Sequence, residues 1–404
     1  MKKLEKSVPV IRFKGFSEAW EQRKLGEVFT ERSEKSSKGE LISVTISSGV
    51  IKASELERKD ISSSDKSNYK VVKKGDIAYN SMRMWQGASG HSLFDGILSP
   101  AYTIITPKKN ISSKFISYIF KKHNMIQNFQ RRSQGLTSDT WNLKFPALSG
   151  IKVKIPNYTE QAKISDFFQH IDNTIALHQR KLDTLKLMKK GFLQQMFPNN
   201  DEEIPKVRFA DFDGMWKQRK LNSITEKITR KNKELESTLP LTISAQDGLI
   251  DQNEYFNKII ASRNIRGYFL VKNGEFAYNK SYSKGYPWGV VKRLDNYNMG
   301  VLSTLYIIFK PVKINSDFLT KYFDSTYWYR AVSQFATEGA RNHGLLNIAA
   351  SDFFEIELNI PLNNEEQKKI GLFFQQLENI IILHQNKLEK LSILKKTYLK
   401  KMFI

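Results

Sequence analysis

Glu366-Gln367-Lys368 has the Glu-x-Lys spacing with which a metal-dependent nuclease holds a divalent ion against a phosphate. An earlier counterpart, Glu160-Gln161-Ala162, lacks the lysine, and both triplets stand where a helix is predicted to begin. Acidic side chains favour the positive end of a helix dipole, so the helix-start reading is the better one. Other catalytic spacings are missing. The chain has no Gly-x-x-x-x-Gly-Lys-Ser/Thr loop to cradle ATP phosphates. It also lacks a glycine-rich strand-to-helix fingerprint for a dinucleotide or adenosyl cofactor. An Asn/Asp-Pro-Pro-aromatic word, expected for methyl transfer to an adenine amine, is absent too. Six histidines and no cysteine offer no zinc spacing and exclude disulfides. The expectation is a non-catalytic chain with no metal or cofactor of its own.

Its charge points to a different task. Sixty-four Lys and Arg against forty-one Asp and Glu leave a formal net charge of +23. Such an excess suits a polyanionic partner. The basic residues are spread along the chain among sixteen tyrosines and six tryptophans rather than gathered in a tail. At 40% hydrophobic and 26% charged the chain is globular in composition. No run approaches the roughly 18 apolar residues of a membrane span. The segment Met1-Lys2-Lys3-Leu4-Glu5-Lys6 leads into no apolar stretch, so the expected compartment is the cytoplasm.

The elements that must position any reading residues come in two copies. Pro9-Val10-Ile11-Arg12-Phe13, Trp20 and Gln22-Arg23-Lys24-Leu25 return 196 residues later as Pro205-Lys206-Val207-Arg208-Phe209, Trp216 and Gln218-Arg219-Lys220-Leu221. Gly75-Asp76-Ile77-Ala78-Tyr79-Asn80 answers to Gly274-Glu275-Phe276-Ala277-Tyr278-Asn279. Glu160-Gln161, Phe167-Phe168, His178-Gln179 and Met196-Phe197 recur 206 residues on, without a gap. A repeat of this length is two copies of one folding unit.

Each copy reads as a mixed α/β recognition part followed by one long helix. Short β-branched and aromatic runs, such as Leu41 to Ile46, Tyr102 to Ile105 and Leu305 to Phe309, are strand-like. Segments 112–130 and 316–335 read as helices. Ile155-Pro156 and Ile360-Pro361 close the recognition parts. The domains are then 1–157, a helical spacer 158–200, a second recognition domain 201–361 and a second spacer 362–404. In the first helix, Ile164, Ile171, His178, Leu185 and Phe192 fall at one seam position, with Phe168, Ile175, Leu182, Lys189 and Met196 at the other. The second seam is Ile370, Leu377, His384, Leu391, Tyr398 with Phe374, Ile381, Leu388, Lys395, Met402. A sustained period of about 3.5 residues predicts coiled-coil pairing. Antiparallel pairing would relate the halves by a pseudo-two-fold axis and bring the two mid-helix histidines, His178 and His384, face to face as a polar device that fixes register.

This organisation resembles the DNA specificity subunit of type I restriction–modification enzymes. The words that carry the resemblance are Val10-Ile11-Arg12-Phe13 with Phe16 and Trp20, Gly75 to Asn80 with Met82-Arg83-Met84-Trp85-Gln86-Gly87, and Glu160-Gln161 opening the helix. The resemblance implies two target recognition domains, each reading half of a bipartite site on double-stranded DNA. It also implies conserved helices that pack as an antiparallel coiled coil. Catalysis would sit on two modification subunits that methylate adenine and on restriction subunits that translocate and cut, with S-adenosylmethionine, ATP and Mg on those partners. The second copy departs from the family's word, with Lys280-Ser281-Tyr282-Ser283-Lys284-Gly285 in place of Met82 to Gly87. Two further readings stay open: a specificity module of a methyltransferase-only complex, and a protein-interaction scaffold that does not read DNA.

If the halves read different bases, the reading residues belong where matched scaffold carries unmatched loops. Ser47 and Ser48 stand against Gln246. Arg83, Trp85 and Gln86 stand against Lys280, Tyr282 and Lys284. Arg131, Arg132 and Gln134 stand against Arg341, Asn342 and His343. Arg83, Gln86, Arg341 and Asn342 have the forked or amide ends that make paired contacts to base edges, whereas Lys280, Lys284, Arg131 and Arg132 suit phosphates. Trp85 and Trp288 read as half-buried structural aromatics, and Tyr79 and Tyr278 as scaffold.

Overall fold

The computed structural model describes residues 8–56, 62–199, 202–258, 260–262, 264–281, 285–335, 346 and 348–404. The chain divides into two compact units, Met1–Gln179 with Asn386–Ile404, and Arg180–Gln385. Each holds one recognition domain and a stretch of both long helices.

In the first unit the strands are β1 (Glu21–Lys24), β2 (Phe29–Glu31), β3 (Ile42–Thr45), β4 (Gly49–Lys52), β5 (Lys70–Val72), β6 (Ile77–Asn80), β7 (Ser89–His91), β8 (Gly96–Leu98), β9 (Tyr102–Pro107) and β10 (Lys152–Ile155). The helices are α1 (Leu25–Val28), α2 (Ser113–Phe120), α3 (His123–Arg132), α4 (Phe145–Ser149) and the long α5 (Tyr158–Gln195). Strands β2, β9, β6 and β7 form an antiparallel sheet in that order, beside the hairpin β3–β4 and the pair β5–β8. Strand period two explains how this sheet is covered on both faces. Ile77, Tyr79 and Ile105 enter the main core, whereas Ala78 and Ile104 enter a second small core with Ile42, Val44 and Leu98.

The second unit repeats the plan with β11 (Lys217–Lys220), β12 (Thr225–Ile228), β13 (Leu241–Ser244), β14 (Gly248–Asp251), β15 (Phe269–Lys272), β16 (Phe276–Asn279), β17 (Val290–Arg293), β18 (Met299–Leu302), β19 (Ile307–Pro311) and β20 (Glu357–Ile360). Its helices are α6 (Leu221–Ile224), α7 (Gln252–Phe256), α8 (Ser316–Asp324), α9 (Trp328–Phe335), α10 (Ala350–Glu355) and α11 (Asn364–Lys401). The sheet order β12, β19, β16, β17 copies the first, as do the pairs β13–β14 and β15–β18.

Pairing of β1 with β10, and of β11 with β20, closes each recognition domain just before its long helix. The Glu-Gln pair that opens each helix is then buried against that domain. Glu160 accepts from Nε and Nη2 of Arg12, both at 2.7 Å, and Glu366 from Nε and Nη2 of Arg208 at 2.7 and 2.8 Å. Gln161 accepts from the Ser112 N–H, and Gln367 from the Asn315 N–H. The helix-start acids are therefore half of a buried ion pair, a purpose beyond the dipole.

The long helices lie within the predicted spacers 158–200 and 362–404, and all twenty seam residues are buried or half-buried. Within the first unit, Phe167 meets Tyr398 with ring centres 5.1 Å apart, and Lys395 Nζ lies 2.5 Å from Asp172 Oδ1. Within the second, Lys189 Nζ lies 2.6 Å from Glu378 Oε1, and Phe192 meets Phe373 at 5.0 Å. In both, rising numbers on α5 meet falling numbers on α11, so the pairing is antiparallel. Lysine–carboxylate pairs across the seam supply a polar register device in each unit. His178 and His384 are half-buried, the first in one unit and the second in the other.

Segments 112–130 and 316–335, read as single helices, are each broken in two. Lys121 leaves α2 and Lys122 turns extended to start α3. In the second unit Ser325 turns extended after α8, its hydroxyl donating to the Tyr322 carbonyl and Trp328 Nε1 to the Phe323 carbonyl. The Tyr322 carbonyl also accepts the Ser325 N–H at 3.1 Å, and the side-chain donors add to the satisfaction of the helix end.

Candidate nucleic-acid interface

In the first recognition domain three predicted loops converge. The β3–β4 turn holds Ser47 and Ser48 exposed, braced by the Ser48 N–H donating to Thr45 Oγ1 at 2.9 Å. After β6, the Asn80 side chain accepts from the Met82 N–H at 3.0 Å and starts a single 3-10 turn over Met84–Gln86. Met84 is fully buried and anchors that turn, which ends on Gly87 at φ +86°, a conformation that favours glycine. Arg83 is left exposed, with Nη1 donating to Gln86 Oε1 at 3.3 Å. Trp85 is half-buried, donates to the Met82 carbonyl at 3.1 Å and meets Trp141 edge-on at 5.3 Å. Gln134 and Asn142 bridge the base of the third loop through both backbone N–H groups, at 3.0 and 2.8 Å. Arg131 and Arg132 project from the end of α3 and are exposed, as is Gln134.

Against the second and third of these loops lies a cleft of about 1110 Å3, which Ser47, Ser48 and Gln134 do not line. Arg83, Trp85 and Gln86 line it on one side, Ser138 and Asp139 on another, and Asp65, Tyr69 and Tyr102 complete the wall. Hydrogen bonding to the Ser67 N–H holds the Asp65 carboxyl below its ordinary value, and the Thr137 side chain does the same for Asp139. Both stay ionised near neutrality, which repels phosphate from the cleft but accepts exocyclic amino groups of bases. Arg131 and Arg132 stand outside this lining.

In the second domain Gln246 is exposed in the β13–β14 turn, which Ser244 braces by donating to Asp247 at 2.8 Å. Lys280, expected at phosphate, is half-buried and donates to the Ile348 carbonyl at 3.1 Å. Trp288 is half-buried, and its carbonyl accepts from the buried Tyr278 hydroxyl at 2.7 Å. Tyr282, Lys284, Arg341, Asn342 and His343 lie outside the described residues. Among the described residues no group of three or more acidic or histidine side chains is placed to hold a metal. No described helix is long and apolar enough to cross a membrane.

Sequence reading missed the charged scaffold. Arg32 grips buried Asp76 with Nε at 2.8 Å, and Arg230 grips Glu275 at 2.7 Å. An acidic residue after the glycine of both repeated words was the available signal. It also missed Lys121, hidden inside what read as one continuous helix.

Residues 17–187 match the family described as Type I restriction modification DNA specificity domain. The chain is 22% identical over 349 residues to the Type I restriction enzyme MjaVIII specificity subunit of Methanocaldococcus jannaschii, covering 81% of this chain and 77% of that protein. It is 25% identical over 150 residues to the Type I restriction enzyme HindI specificity subunit of Haemophilus influenzae, covering 36% of this chain and 32% of that one. The match thus spans about a third of the HindI subunit. Among solved structures, the S subunit of a type I restriction–modification system from M. genitalium is similar in fold, with a TM-score of 0.58 at 14% identity over 98% of this chain and 99% of that chain. The chain resembles the specificity subunits of type I restriction–modification systems.

Proposed function

We propose that this chain is the non-catalytic DNA-reading subunit of a type I restriction–modification complex, each recognition domain reading one part of a bipartite site. The observation that carries this reading is the duplicated fold whose sheets and arginine–carboxylate pairs, Arg12–Glu160 with Arg208–Glu366 and Arg32–Asp76 with Arg230–Glu275, match while its exposed loops differ in sequence. Matched scaffold cannot distinguish two sequences; unmatched loops can. In the first domain Arg83 and Gln86 face a cleft whose carboxylates favour base edges, and Arg131 and Arg132 are left for phosphates.

Two modification subunits and the restriction subunits would dock on this chain, carrying S-adenosylmethionine, ATP and Mg themselves. Apolar side chains turned away from the helix seam support a docking role: Leu177 and Ile393 in the first unit, Leu187 and Leu383 in the second, are 44–71% exposed. Genome-wide adenine-methylation mapping, with the gene intact and deleted, tests the proposal. Loss of one asymmetric two-part motif on deletion is expected. An unchanged methylome in cells that express this chain beside an active methylating partner would contradict it. Affinity for a motif-bearing duplex should also fall steeply with salt, as phosphate contacts require.

A further inference from the structure

Lys121 stands at the break between α2 and α3, where the chain leaves one helix and enters the next. Its ammonium donates to two carbonyls that belong to different loops: Gly87 at 2.6 Å and Ile46 at 3.2 Å. Gly87 closes the turn that presents Arg83, Trp85 and Gln86. Ile46 opens the turn that presents Ser47 and Ser48. One cation thus ties together two loops that have no strand pairing with each other at these residues. The Gly87 carbonyl also accepts from the Ser89 N–H at 2.8 Å, so the ammonium is the second donor on that oxygen.

We propose that Lys121 is a positioning residue: it clamps the two reading loops of the first recognition domain in register, so that this domain's discrimination depends on its charge. The proposal rests on the first domain reading DNA.

The surroundings make that charge sensitive to mild alkali. Burial pushes the Lys121 ammonium down to about 8, and the nearby Lys395 ammonium on α11 adds to the effect. Lys395 is itself held by Asp172. The two clamped turns bring no titratable side chain at residues 46–48 or 84–86, and Arg83 is exposed. Next to Lys121 in the chain, Lys122 is spent on the Ile404 carbonyl at 2.8 Å, and His123 contacts Gln127 at 3.0 Å. A hydrogen bond from an ammonium is about twice as strong as one from a neutral donor. Deprotonation therefore weakens the clamp while leaving the fold in place. Arginine in this position would keep its charge throughout.

The test uses the full chain co-purified with its methylating partner, and variants Lys121→Met and Lys121→Arg. Amide hydrogen exchange on each reports the loops without any DNA. Binding to a duplex carrying the mapped motif, and to duplexes altered in its first or its second part, is measured from pH 7 to 9. Lys121→Met is expected to speed exchange at residues 45–49 and 82–88 alone. It should lower discrimination at one part of the motif by about tenfold, the size of one good base contact, and leave the other part intact. The wild type should lose the same discrimination as pH rises through 8, and Lys121→Arg should keep it to pH 9. Exchange unchanged in Lys121→Met, or quickened across the whole first unit, overturns the clamp. So does equal loss at both parts of the motif, or a pH profile in Lys121→Met like that of the wild type. Local loosening in a protein whose wild type shows no sequence preference at pH 7 supports the clamp and removes the DNA reading instead.

Discussion

Where the first recognition domain has Lys121, the second has Asp324, nine residues after the capping side chain in each case, Ser112 and Asn315. The neighbouring strand has changed in step. Gly90 on β7 leaves no room for a side chain, since a Cβ there would lie 2.7 Å from the Val50 nitrogen. Its counterpart on β17, Lys292, reaches across to Asp324 at 2.6 Å. The first domain spends its cation on two loop carbonyls, whereas the second neutralises an anion with two lysines, Lys292 and Lys321. A second substitution follows the same helix. Tyr118 donates to Asp172 at 2.8 Å, whereas Lys321 takes the matching place against Glu378 at 2.6 Å. The duplicated fold tolerates these exchanges because each leaves its buried charge either ion-paired or hydrogen-bonded to backbone carbonyls. What differs is whether the helix break serves the core or the reading loops.

The largest effects should come from residues that lock both units alike. Phe403 packs on Trp20, Phe115 and Phe168 in the first unit, and Phe197 on Trp216, Phe318 and Phe374 in the second. Phe403→Ala and Phe197→Ala are each expected to cost about 3–5 kcal/mol, the usual result of emptying an aromatic core site. Hydrogen exchange should place the loss in the first unit for Phe403→Ala and in the second for Phe197→Ala. Equal loosening of both units would break the comparison.

Glu160→Ala and Glu366→Ala come next. Each strands a mostly covered arginine, at a cost of about 3 kcal/mol by the measure of broken buried pairs. Denaturant midpoints should show Glu366→Ala as the more damaging, because Glu366 also accepts from Trp216 Nε1 at 3.2 Å. The seam pairs are smaller. Lys395→Met and Lys189→Met remove partly exposed ion pairs and should each cost about 1 kcal/mol or less, read from the same midpoints.

The smallest effects are those of pH: in both domains stability rises with pH, but in separate windows, acid for Asp324 and alkaline for Lys121. Burial raises the Asp324 carboxyl, but Lys292 and Lys321 outweigh it and hold the group below its ordinary value. A depressed carboxylate contributes stability that is present above the unfolded value of 3.8 and is lost as pH falls through the lower folded one. Asp324→Asn should flatten that acid limb in the second unit. Lys121 lies lower folded, about 8, than its ordinary 10.5, so the folded chain binds fewer protons between those values. The first unit therefore gains stability from this group as pH rises through that window, while its clamp weakens. Stability and discrimination moving together with pH would contradict this assignment, with Lys121→Met as the control.

Much of the frame was legible from the residues. Repetition of the Arg-Phe, Gly-Asp/Glu and Glu-Gln words marked two copies of one domain, and a 3.5-residue period marked the seam. These signals are legible because packing repeats itself. The helix breaks at Lys121 and Ser325 were not, since both segments keep helical periodicity while local capping stops the helix. Lys121 itself was one basic residue among sixty-four, and its role depends on two carbonyls far away in sequence. Loop geometry was half legible: the difference between the copies singled out Arg83, Trp85 and Gln86, which line the cleft. The inward turn of Lys280 to the Ile348 carbonyl depends on a loop whose path no pattern foretells.

The central claim is that one chain reads two sequences with two copies of one scaffold. Its most direct test is adenine-methylation mapping in cells whose chain carries Arg83→Ala together with Gln86→Ala. One part of the two-part motif should become degenerate while the other part and the spacing stay unchanged. Relaxation of both parts together, or a motif identical to that of the intact chain, would contradict the account.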